Sequence, residues 1–308
     1  MMRKIFRIAI LLWGGIFLQP IAATAQQVSL EEQIQRIANQ RKAEVGVAVI
    51  RNGTDTITVN NECRYPMMSV FKFHQALAVT DYLRRNNRSL DSLITIGNEE
   101  LKPDTYSPLR DKYAGNETVS LSVAELLTYT LQLSDNNACD ILFHRLVSPQ
   151  ETDRYIRSLG VTDFSIRMTE DEMHQDLSHC YENWTTPLAA ARLFEIFLNR
   201  LPADGYHAFV RQTLVTCQTG KDRLFRPLEN TGAIIGHKTG TGDRNPCEQI
   251  IGINDAGFVI LPNGQRYTIA VFVKDSEETP EATAQIIADI SETVYRYIQQ
   301  ITLQNETK

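Results

Sequence analysis

The chain has 308 residues, room for one large domain or two lobes around a sizeable core, and its 43% hydrophobic and 22% charged residues are ordinary for a globular protein. A net charge of −6, with no basic run after the first few residues, argues against a nucleic-acid surface, because phosphate binding needs concentrated Lys and Arg. Five widely spaced cysteines without a Cys-x-x-Cys pair, and six histidines without a His-Glu-x-x-His pattern, point away from zinc; no metal and no cofactor are expected.

Arg3, Lys4 and Arg7 precede an apolar stretch from Ile8 to Leu18 and then Ala23-Thr24-Ala25. A positive region, a short hydrophobic region and a small-x-small cleavage site make a secretory leader, so residues 1–25 are set apart as a signal peptide and the mature chain is expected in the periplasm. The apolar run is shorter than the roughly 20 residues a membrane span needs. In an oxidising compartment cysteines can pair, but an odd number leaves at least one free.

Ser29-Leu30-Glu31-Glu32 has the spacing of a capping box and predicts a helix to about Lys42. Val45 to Ile50 and Thr54 to Val59 are β-rich and straddle Asn52-Gly53, a hairpin signal. Then comes Tyr65-Pro66-Met67-Met68-Ser69-Val70-Phe71-Lys72. A serine and a lysine three residues apart share one face of a helix, so Lys72 can stand beside the hydroxyl of Ser69. Ser69 opens an apolar run after a proline, which places it at a helix start, where free N–H groups favour developing negative charge. Burial of that helix would lower the lysine towards the proton affinity a base needs.

Helices and polar loops follow from Pro66 to about Thr216: a capping box at Ser122-Val123-Ala124-Glu125, helices over Ala138 to Val147 and Gln150 to Leu159, and a helix from Pro187 to Leu198. Arg167 to Trp184 reads as a long acidic surface loop. Strands return at Ala233 to Lys238, Ala256 to Leu261 and Tyr267 to Val273, the last two around Asn263-Gly264, and Pro280 to Ile301 is an amphipathic closing helix. The economical fold is α+β: an antiparallel sheet from residues 26–65 and 217–308, flanked by the terminal helices, with an all-α lobe, residues 66–216, inserted between. A small-molecule site belongs in the cleft between the lobes.

Ser134-Asp135-Asn136 falls where a helix ends, and Lys238-Thr239-Gly240 at the end of a strand before Thr241. In the order Ser-x-x-Lys, Ser-Asp-Asn, Lys-Thr-Gly these three form the signature of class A β-lactamases and penicillin-binding proteins. Over essentially the whole mature chain the sequence resembles that serine acyl-transfer family, and within it the extended-spectrum subgroup of class A that includes the cephalosporinases of Bacteroidetes.

The resemblance implies roles. Ser69 would attack a lactam carbonyl and become an ester, with the oxyanion held by the N–H groups of Ser69 and Thr241. Ser134 would protonate the departing nitrogen beside Lys238. Lys238, Thr239 and Thr241 would bind the substrate carboxylate, Gly240 would let substrate lie along the strand edge, Asn136 would bond the substrate amide, and Tyr106 would wall the cleft mouth. In Thr169-Glu170-Asp171-Glu172, Glu170 aligns with the family's deacylation glutamate, which readies water against the ester; Glu172 and a merely solvated acidic run are the alternatives. Whether Lys72 or Glu170 takes the Ser69 proton is disputed for the family and stays open.

Three positions depart from the common pattern. His174 stands where an asparagine usually helps hold the water, and Met168 and Asn183 replace an arginine and an aspartate that tie the loop together, with Arg167, one residue out of step, as the candidate substitute. Arg223 resembles the subgroup's arginine that reaches Lys238 and the substrate carboxylate; a surface salt bridge is the plainer alternative. His237 should point away from Lys238 and be structural. The resemblance implies a hydrolase of cephalosporins and penicillins, with a monomer as the family's default state. A cell-wall transpeptidase and a β-lactam-sensing receptor are the competing readings, and the loop glutamate stands against both.

Overall fold

The computed structural model describes residues 28–306; the leader assigned to residues 1–25 lies outside the described residues. Helix α1 (Leu30–Asn39) starts at the predicted box, with the Glu32 N–H donating to Ser29 Oγ and the Ser29 N–H to the Glu32 carboxylate. It stops short of Lys42 because the chain must turn into β1 (Glu44–Arg51). Strand β2 (Asp55–Val59) returns through Asn52 and Gly53, both at positive φ, as this hairpin turn demands.

The middle of the chain runs β3 (Tyr65–Pro66), α2 (Phe71–Arg85), β4 (Leu93–Gly97), α3 (Pro108–Tyr113) and β5 (Thr118–Ser122). Helices α4 (Val123–Gln132), α5 (Asn136–Arg145) and α6 (Pro149–Ser158) follow, then β6 (Phe164–Ser165), α7 (Glu170–Gln175), β7 (Trp184–Thr185), α8 (Pro187–Asn199) and α9 (Gly205–Val215). Expected to be all-α, this part also carries two small sheets, β4 with β5 and β3-β7-β6. Helix α2 is its axis, touching α4, α5, α6 and α9. Phe71, Phe73, Leu77, Val79 and Leu83 are fully buried, each contributing about 1.5–3 kcal/mol. Phe73 stacks on Phe194 at 4.1 Å and so ties α2 to α8.

The last third supplies β8 (Ile234–Thr241), β9 (Ile250–Ile260), β10 (Arg266–Ser276) and α10 (Pro280–Glu306). The sheet is antiparallel in the order β2-β1-β10-β9-β8, so the two ends of the chain meet at β1 and β10, with Val47 opposite Val271. Helices α1 and α10 cover one hydrophobic layer of it, while Ala48, Ala256, Phe258, Ala270 and Phe272 join the core shared with α2 and α8. Two corrections concern strand length. Strand β8 runs on through Thr241, so Lys238-Thr239-Gly240 lies within it rather than at its end. Strand β9 begins six residues earlier than Ala256, because Asn254 and Asp255, which look like an interruption, are buried with partners.

Candidate active site

Ser69 sits on a tight 3-10 turn, Met68–Val70, directly before α2, and Met68 is held at φ +46°, a left-handed conformation uncommon outside glycine. The Met67 N–H donates to the Asn183 carbonyl at 2.7 Å. The Asn254 amide donates to the Pro66 and Met67 carbonyls at 2.8 and 3.2 Å. From the sheet side a Cβ on residue 240 would stand 2.6 Å from the Met67 oxygen and 3.2 Å from the Ser69 nitrogen. Gly240 is therefore required for the strand to close on the Ser69 turn, a different reason from room for substrate along the edge.

Lys72 Nζ is fully buried, donates to the Ser134 carbonyl at 2.7 Å and to Asn136 Oδ1 at 2.6 Å, and pairs with Glu170 Oε1 at 2.8 Å. Three acceptors occupy three N–H groups. The Ser69 hydroxyl donates instead to Glu170 Oε1, at 3.1 Å. Lys72 thus faces the hydroxyl through the carboxylate, contrary to the direct contact that helical spacing suggested, because a buried ammonium takes the strongest acceptors in reach.

Ser134 follows α4 at φ +60°, and its Oγ accepts from Lys238 Nζ at 2.9 Å. Burial, and then repulsion from Lys72, bring Lys238 down to about 7. Asn136 opens α5; its Oδ1 serves Lys72 while Nδ2 donates to Thr105 Oγ1 at 2.7 Å, leaving one amide N–H for a ligand. Asp135 caps the same helix and also accepts from Ser107 and Leu109, which anchors the Tyr106 segment. Tyr106 is 60% exposed at the rim. Together with Met68, Ser69, Ser134, Asn136 and Glu170, it lines a cleft of about 340 Å³ closed by Thr219, Gly220, Arg223, Thr239 and Thr241. A larger hollow of about 660 Å³, between α2 and α6 around Arg85, Glu151 and Arg154, holds none of these groups.

The loop expected to be irregular contains α7, and its signal was legible: Thr169 and Glu172 form a capping box. Glu170 is the first residue of this helix, and Asp140 of α5 fixes it, accepting from the Glu170 and Asp171 N–H groups at 2.8 Å each. Burial, then the charge of Glu170, push Asp140 up to about 7. Glu172 is spent on the cap, which leaves Glu170 as the glutamate beside Ser69. The missing ion pair is replaced by an amide clamp: Asn183, fully buried, accepts from the Arg167 and Met168 N–H groups at 2.8 and 3.0 Å and donates to the Met168 carbonyl at 2.8 Å. The Arg167 side chain does not substitute for it, lying outside at 3.7 Å from Glu182. His174 is exposed and is not among the residues lining the cleft.

Arg223 is buried, but it reaches the Gly240 and Asn254 carbonyls at 2.8 and 3.0 Å and Thr241 Oγ1 at 2.7 Å, where a contact with Lys238 was expected. It braces the strand end and leaves the Thr241 hydroxyl hydrogen free to donate. Thr239 Oγ1 meets Thr219 Oγ1 at 2.6 Å. His237 is buried against Asp255, with Nδ1 2.8 Å from Oδ1.

A sequence pattern describing the beta-lactamase enzyme family matches residues 29–298. The chain belongs to the β-lactamase enzyme family. It is 41% identical over 279 residues to a β-lactamase of Phocaeicola vulgatus, covering 90% of this chain and 87% of that one. It is 34% identical over 299 residues to the β-lactamase VEB-1 of Pseudomonas aeruginosa, covering 96% and 98%. Among solved structures, a class A β-lactamase from Bacteroides cellulosilyticus matches with a TM-score of 0.83 at 43% identity, covering 88% of this chain and 97% of that one. Sequence reasoning overlooked Asp140 and Asn254, and it noted Asn183 only as a missing ion-pair partner; all three position this β-lactamase's site. Each is a buried polar side chain whose partners are main-chain groups, which no motif records. An Asn-Asp pair inside the apolar run of β9 was the one visible hint.

Proposed function

We propose that this β-lactamase opens cephalosporins and penicillins through an ester on Ser69, and that Glu170 serves both half-reactions. One observation carries this reading: Glu170 Oε1 lies 3.1 Å from Ser69 Oγ and 2.8 Å from Lys72 Nζ. The carboxylate is within reach of the proton that attack releases, and Lys72, its N–H groups engaged by acceptors, acts as a fixed positive charge that holds the carboxylate in place. As the ester forms, the lactam C–N bond breaks and the nitrogen takes a proton from Ser134, which Lys238 resupplies. The proton held by Glu170 replaces the one Lys238 gave up, and Glu170 returns to the carboxylate. With the Ser69 proton gone, Oε1 is free to accept from a water that attacks the ester.

Closure of β8 on the Ser69 turn supports an oxyanion site made by the N–H groups of Ser69 and Thr241. Thr239, Thr241 and the Lys238 charge suit the substrate carboxylate. The sequence leader supports export to the periplasm, and a monomer suffices for every residue named. Turnover of a chromogenic cephalosporin tests the reading together with Glu170→Gln. The parent should hydrolyse continuously and the variant should accumulate a mass equal to enzyme plus opened substrate. A stoichiometric burst and stall in the parent would assign the fold to a transpeptidase or sensor instead, and a variant that keeps turning substrate over without accumulating adduct would remove Glu170 from the second step.

A further inference from the structure

A hollow of about 350 Å³, comparable in size to the cleft, lies between α6 and the end of β6 and takes no part in the reaction above. Gln150, Asp153, Arg154 and Arg157 line it from α6, at the spacing of one helix face, and Ser165 and Arg167 line it from the β6 side. Asp153 is engaged: it pairs with Arg157 at 2.6 Å and accepts the Ile166 N–H at 3.2 Å. Arg157 also donates to the Thr162 and Phe164 carbonyls, at 2.8 and 2.6 Å. The other two arginines are not so occupied. Arg154 makes no hydrogen bond or ion pair among the described residues, and Glu151, one turn back on the helix, is taken by Ser148. The Arg167 guanidinium has only Glu182, 3.7 Å away and itself exposed.

Ser165 turns this surface feature into a site. It is 6% exposed, it lines the hollow, and its hydroxyl has no partner among the described residues. Buried hydroxyls are as a rule hydrogen-bonded, so one left open beside unpaired guanidinium groups marks a place for an acceptor from outside the chain. In a protein of net charge −6, three arginines here face one aspartate. We propose that this hollow binds a small, doubly charged oxyanion of the phosphate class between Arg154 and Arg167, with Ser165 donating to it, and that the bound anion fastens the loop bearing Glu170.

Guanidinium forks match phosphate oxygens two at a time, and a phosphate monoester carries about −1.5 to −2 charges at pH 7. Three separate donor groups, on α6, on β6 and on the loop after it, suit the three oxygens of a phosphoryl group better than the two of a carboxylate. Glu182 competes for Arg167 only from 3.7 Å, too far for a hydrogen bond. The link to the active site is short. The Arg167 N–H donates to the Asn183 amide at 2.8 Å, the Arg167 carbonyl accepts from Gln150 at 3.4 Å, and Glu170 follows three residues later. An anion bridging Arg154 and Arg167 adds a second tie between α6 and that segment. Opening of the loop breaks the site, so anion binding and loop closure favour each other.

Titration calorimetry of the mature enzyme at constant ionic strength tests the site, with inorganic phosphate and glycerol 3-phosphate as probes and chloride as the control. Both probes should saturate one site with millimolar or tighter affinity, and chloride should give no saturable heat. Arg154→Gln and Arg167→Gln, both at exposed positions, should weaken binding about tenfold, and Ser165→Ala should weaken it several-fold. A monoester bound more tightly than free phosphate would place its organic part in the remaining volume. No saturable heat from either probe, or equal affinity in the parent and both arginine variants, overturns the site. Hydrogen exchange reads the coupling. With phosphate at about ten times its dissociation constant, the Arg167 and Met168 N–H groups of the parent should exchange about tenfold more slowly, and those of Arg154→Gln at most about twofold. Helix α1 should be unaffected, which separates the site from a general strengthening by salt. Exchange at residues 167 and 168 that ignores a bound probe would overturn the fastening. Neither readout involves a β-lactam, so the site can fail while the reaction above stands.

Discussion

Replacing Asp140 with alanine separates stability from catalysis. Two N–H groups at the start of α7 lose an acceptor at 2.8 Å, which costs about 1–3 kcal/mol each, or about 2–6 kcal/mol together. An opposing effect comes from the charge. Burial and Glu170 push Asp140 up from the usual 3.8 to about 7, so the folded state binds its proton more tightly than the unfolded chain. Such a group stabilises the fold fully below pH 4 and loses that contribution as pH rises to 7. At about 1.4 kcal/mol per unit, the penalty in the parent is about 2 kcal/mol at pH 5 and about 4 kcal/mol at pH 8. Asp140→Ala has no such penalty. The stability gap between parent and variant, measured by urea unfolding, should therefore shrink by about 2–3 kcal/mol from pH 5 to pH 8, until the two are nearly equally stable. At pH 8 kcat should still fall by about 100-fold, because Glu170 is no longer held to the ångström against Ser69. A gap that does not vary with pH, or full activity in the variant, would refute the account of Asp140.

Asn183→Ala removes three hydrogen bonds to residues 167 and 168 and should cost about 2–4 kcal/mol, with limited proteolysis cutting the loop around Met168 first. An unchanged melting temperature and intact loop would count against the clamp. Arg223→Ala should raise KM for carboxylate-bearing substrates by about tenfold through loss of the brace on Thr241, while unchanged kinetics would leave Arg223 a structural residue. Because burial and Lys72 bring Lys238 down to about 7, free enzyme loses that positive charge as pH rises, so KM should climb between pH 6 and 9; a flat profile would contradict it.

The local signals were legible because they are local. Capping boxes at Ser29 and Ser122, the Asn52-Gly53 hairpin, and the spacing of Ser69 and Lys72 each depend on neighbours within a few residues. The chain ends also announced one sheet through their strands. What stayed hidden depends on partners far along the chain. Asn254 reads as a break in β9 until its amide is seen 188 positions away on Pro66. Asp140 is an unremarked helix residue until α7 docks on it, and helical spacing brought Lys72 near Ser69 without revealing that Glu170 would come between them. His174 was placed by alignment with a differently built loop, and in this one it faces water.

That rebuilt loop carries a consequence for the medium in which the enzyme works. Concentrated salt screens attraction between exposed charges over about 3 Å at 1 M, and a segment fastened by an ion pair slackens accordingly. The Asn183 amide carries no charge to be screened, so the segment bearing Glu170 should stay fastened in brine as it does in dilute buffer.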